Sequence, residues 1–82
     1  MNKGWILFHL REAQEELTRT IAKFDAAPCV EENEFEIALA HMYNHLNTAW
    51  NARALTDEYI AMQTNDDFYT WRAYPADIPM GQ

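Results

Sequence analysis

The sequence predicts an all-α protein, an antiparallel helical hairpin with a short third helical segment and an extended aromatic C-terminal strap, doubled by dimerisation into a four-helix bundle. Three observations carry that expectation. From Ile37 to Ala52 the chain contains no Asp, Glu, Lys or Arg, and with Phe35 the apolar residues Leu39, Met42, Leu46 and Ala49 recur in a 4-3-4-3 rhythm. A second stretch has Ile6, Leu10, Ala13, Leu17, Ile21 and Phe24 at helical spacing. Proline and the turn-forming residues fall between these stretches and after them, while glycine occurs only at Gly4 and Gly81.

The first helix is expected at about 5–26. Opposite its apolar stripe it carries Arg11, Glu12, Glu15, Arg19 and Lys23, an ordinary solvated face with Glu15 and Arg19 at i,i+4. Pro28 ends it, since proline cannot extend the hydrogen-bond ladder and drives Ala27 out of the α region. The second helix is expected at about 34–55. Asn33 and Glu36 read as its capping box, and Glu31, Glu32, Glu34 and Glu36 lie against the positive end of its dipole. Asp57 falls on the angle the core face would occupy, so a break is expected near Thr56, which caps a short helix at about 57–63. Asn65, Asp66 and Asp67 then mark a turn. The segment 68–82 holds Phe68, Tyr69, Trp71 and Tyr74 before Pro75 and Pro79, too aromatic for disorder. It reads as a strap packed over the hairpin, with Phe68, Trp71 and Tyr74 as the alternative anchor for a protein partner.

Eighty-two residues form one domain, which at this length buries only roughly 60–65% of the surface its unfolded chain exposes. A chain so short commonly adds a disulfide, a metal or a partner subunit, and the single Cys29 removes an internal disulfide from that choice. One cysteine and no leader-like apolar run point to the cytoplasm. The net charge of −7, with six scattered Lys and Arg, argues against nucleic acid and against anionic membrane surfaces. The absence of serine and of any glycine-rich loop excludes a serine nucleophile and a phosphate cradle. Cys29 lies in an acidic loop, where Glu31, Glu32 and Glu34 disfavour the thiolate a nucleophile needs.

The function these features point to is non-catalytic: a small self-associating scaffold or protein-interaction module. Its twofold seam is expected on the uncharged outer face of the second helix, Ala40, Asn44, Asn47, Thr48 and Asn51 with Tyr43 and Trp50 beside it. The competing expectation is a metal-binding or metalloenzyme bundle. If the helices pair antiparallel, His9, Glu12 and Glu16 share a flank with Glu34, His41 and His45. His41 and His45 at i,i+4, completed by Glu12 and Glu16, would then form a site for zinc, iron or manganese. Arg53, on the core angle, is expected to close the bundle end by stacking on Trp5 or pairing with Asp57, Asp66 or Asp67.

Overall fold

The computed structural model describes residues 1–78, and these are helical without a strand. Four helices follow one another: α1 Lys3–Ala26, α2 Glu32–Asn51, α3 Asp57–Ala61 and α4 Asn65–Arg72. The chain folds as α1 against α2 and α4 against α2, so the uncharged helix lies between the two others. Positions 79–82, which include Pro79, Gly81 and the end of the expected strap, lie outside the described residues.

Helix α1 stops at Ala26, and Ala27 adopts extended backbone ahead of Pro28, as the proline requires. It runs in the opposite sense to α2. Near the loop Phe24 meets Phe35 with ring centroids 5.8 Å apart, and at the far end His9 meets His45. Between them Lys23 pairs with Glu34, and His41 Nδ1 approaches Glu16 Oε1 at 3.8 Å.

The start of α1 is tied to the end of α2 by Asn2. Its Oδ1 accepts from the Trp5 amide and caps the helix, while its Nδ2 donates to the Leu55 carbonyl at 3.0 Å and to Asp57 Oδ1 at 2.9 Å. Its amide donates to the Arg53 carbonyl as well. These bonds hold the turn after Asn51, which ends α2 four residues before the expected boundary. At the other end α2 begins at Glu32, and Glu31 occupies the cap position without a side-chain bond. Asn33 does not form the expected capping box, since its Oδ1 accepts from the Glu34 amide next to it. Thr56 caps α3 as expected, accepting from the Tyr59 amide.

The largest departure from the expected fold is α4. Residues 65–72, placed partly in a turn and partly in an extended strap, form a helix that starts in a reciprocal box between Thr64 and Asp67. Its C-terminal carbonyls, which no intrahelical amide can reach, accept from α2: Asn47 Nδ2 donates to the Arg72 carbonyl at 2.8 Å, and Asn51 Nδ2 to those of Trp71 and Ala73 at 2.8 and 2.9 Å. Two of the asparagines expected at a twofold seam thus bind the chain's own helix. Small buried residues, Thr48 and Ala49 on α2 and Ala52 just after it, let α1 and α4 approach closely.

Candidate functional site

Two features stand out from this frame, a recess lined by histidines and a bare apolar face. The recess, about 140 Å³, opens between α1, α2 and α4 and is lined by His9, His41, Asn44, His45, Phe68 and Arg72, with Thr48 at its wall. Its floor is the contact between His9 Nδ1 and His45 Nδ1, 2.9 Å apart. One proton fits between two nitrogens at that distance, so one imidazole donates through Nδ1 and the other accepts. Protonating both would place two cations in contact inside a helix interface.

His9 is buried, and Trp5 and Phe8 meet its ring edge-on at centroid distances of 4.4 and 5.1 Å. Burial first, and the neighbouring His45 second, push its pKa down to about 4. Its Nε2 is buried with no hydrogen-bond partner among the described residues, as is Trp5 Nε1. Above the pair the Arg72 guanidinium lies 4.5 Å from the centre of the Phe68 ring, the one fixed cation on the recess wall among the described residues.

The four residues expected to hold a metal are not gathered around one point. His45 is engaged with His9. His41 is mostly exposed and faces Glu16, which is itself bonded to Arg19; that bond holds the Glu16 carboxyl below its usual range. Glu12 is half-buried and has no side-chain bond among the described residues. No three His, Cys, Asp or Glu side chains among the described residues converge as a metal-binding group. His9 was placed on the correct flank by the sequence pattern, yet its pairing with His45 was missed. Register did not announce it, because the pairing that sets Phe24 level with Phe35 leaves His9 and His45 about one helical turn out of level.

Arg53 also differs from expectation. It lies 3.8 Å from the centre of the Trp50 ring, donates to the Trp50 carbonyl and approaches Asp77 Oδ2 at 3.6 Å, leaving Trp5 to stack on Phe8. Asp77 accepts from Trp50 Nε1 too, so the segment after α4 is fastened to the end of α2. Of the three residues proposed as a partner anchor, Trp71 is 7% exposed and belongs to the core, whereas Phe68 and Tyr74 are about half exposed.

The apolar face lies on the flank away from the histidines. On α1 it presents Leu10, Leu17 and Ile21, on α2 Phe35, Tyr43, Leu46 and Trp50, and each of these remains exposed. A shallow recess of about 280 Å³ lined by Ile6, Leu10, Leu46, Ala49 and Trp50 shows that both helices contribute to one surface. Helical geometry puts Gln14 among Leu10, Leu17 and Ile21 on α1, with Thr18 and Arg11 at the outer edge of this flank. No helix among the described residues is long and apolar enough to cross a membrane. Comparisons with protein-family models, with curated proteins and with solved structures find no match to this chain.

Proposed function

We propose that the chain is a small interaction module that self-associates, using the bare face of α1 and α2. The observation that supports this reading is the size of that face relative to the core. Among the described residues no large side chain is fully buried, and Ala13, Ala49 and Ala52 supply much of the interior. The bare face, by contrast, offers on the order of 600 Å² of apolar surface, close to the ~800 Å² that each partner contributes to a standard interface. A monomer would leave this area in water, where covering it is worth roughly 25 cal/mol per Å². The expected dimer seam shifts accordingly from the asparagine face, which α4 occupies, to its neighbour, keeping Tyr43 and Trp50.

Leu17→Glu tests this directly, because Leu17 is 48% exposed and the substitution leaves the monomer's interior intact. The wild type is expected to sediment as a dimer at micromolar concentration. Each dimer of the variant would bury two unpaired carboxylates, raising Kd by about a hundredfold or more while helicity is retained. A wild-type chain that stays monomeric across that range would overturn the proposal.

A second reading, the metal-binding bundle, rests on His41 and His45, one helical turn apart on the recess wall. It predicts that zinc raises the melting temperature by several degrees and that His45→Ala abolishes the effect. The self-association reading expects the same melt in zinc and in chelator.

A further inference from the structure

We propose that the second copy docks with its ends exchanged, α1 of one chain on α1 of the other and α2 on α2, all antiparallel. This rests on the self-association reading and adds the arrangement. The stripe through Leu10, Leu17, Ile21, Leu46 and Trp50 has charged residues at its two ends, with Arg11 and Glu36 along its outer edges. At one end stand Lys3, at the start of α1, and Arg53, just after α2; at the other stand Asp25, near the end of α1, and Glu32, at the start of α2. Helical periodicity puts Lys3 and Asp25 on the same side of α1 as Leu10, Leu17 and Ile21. Lys3, Asp25 and Glu32 are exposed and make no ion pair among the described residues, while Arg53 has Asp77 beside it.

Two face-to-face arrangements have twofold symmetry. With the axis along the helices, like ends meet and α1 lies across α2 of the second copy. Lys3 then approaches the second copy's Arg53, and Asp25 its Glu32, and by symmetry each like-charge pair occurs twice in the dimer. With the axis across the helices, opposite ends meet. Lys3 comes over Asp25 of the second copy, Arg53 over Glu32 and Trp50 over Phe35, so each charged end faces its opposite and the two large aromatic groups close the apolar seam. Like-charge juxtaposition disfavours the first arrangement, and charge complementarity fixes the register of the second.

The test is a charge exchange read by sedimentation equilibrium at low ionic strength, using Lys3→Glu, Asp25→Lys and the double variant. Both substitutions suit α1 as a helix, an acid in its first turn and a base in its last, so loss of folding will not imitate loss of association. Each single variant is expected to raise Kd roughly three- to tenfold, and the double variant to return within about twofold of wild type. The sign for Asp25→Lys is the informative one. It lowers the net negative charge of a −7 chain, so general repulsion alone would tighten the dimer rather than weaken it. Single variants that bind more tightly or unchanged, in a protein that does dimerise, overturn the exchanged-end arrangement and leave self-association standing. A wild type that is monomeric throughout overturns both.

Discussion

Replacing Trp71 by alanine is expected to destabilise the protein by about 3–5 kcal/mol, which for a chain of this length is most of what it has. The indole is 7% exposed, the most buried aromatic group among the described residues, and lies 6.4 Å from the Tyr59 ring. Removing it empties the contact between α4 and the rest. The carbonyls that Asn47 and Asn51 cap depend on the same docking, so their bonds would be lost together rather than one at a time. Asn51→Ala isolates the polar part. It leaves the Trp71 and Ala73 carbonyls without that donor and should cost about 1–3 kcal/mol. Urea unfolding followed by far-ultraviolet circular dichroism measures both. A Trp71→Ala protein within about 1 kcal/mol of wild type would show that α4 contributes little to the fold.

That dependence explains what was legible in the sequence and what was not. The two long helices are local facts: sixteen residues without a charge, or six apolar residues at helical spacing, fix a face whatever else the chain does. Their ends were less legible. Asn2 terminates α2 from more than fifty positions away, through bonds to Arg53 and Leu55 that no local signal announces. Helix α4 was hidden by reading Asn65, Asp66 and Asp67 as a turn, when the useful signal was Thr64 with Asp67 three residues on, a capping box that opens a helix. The uncharged face of α2 was read correctly as covered. What covers part of it is α4, and the asparagines serve as caps for that helix. For the candidate site, the flank shared by His9, Glu16, Glu34, His41 and His45 followed from periodicity and antiparallel pairing. The choice of partners within it did not, because Arg19 takes Glu16 and His9 takes His45, contacts that a shift of one helical turn would change.

The histidine pair makes the fold sensitive to mild acid, and wild type is expected to lose about 2 kcal/mol between pH 7.5 and pH 5. An imidazole in the unfolded chain takes up its proton near its ordinary value of 6.5, whereas burial and His45 hold His9 down at about 4. Between those values the unfolded chain binds more protons than the folded one, so stability rises with pH. The contribution is complete above pH 6.5 and falls as pH drops toward 4, by about 3 kcal/mol in all. The groups around His9 do little to soften this. From α2 it faces His45, with His41 farther along the recess; from α4 comes the Arg72 cation; and on α1 the nearest carboxylates are Glu12 and Glu16, the latter committed to Arg19. Glu16, the carboxylate nearest His41, is held below its usual range by Arg19 and keeps its charge over this window. His9→Leu removes the titrating group and leaves His45 without its hydrogen bond, which should cost about 1–2 kcal/mol at pH 7.5. Its stability should then change little down to pH 5. Denaturant melts of both proteins at equal concentration decide the matter: a variant that loses as much stability as wild type over this interval would place the acid sensitivity elsewhere.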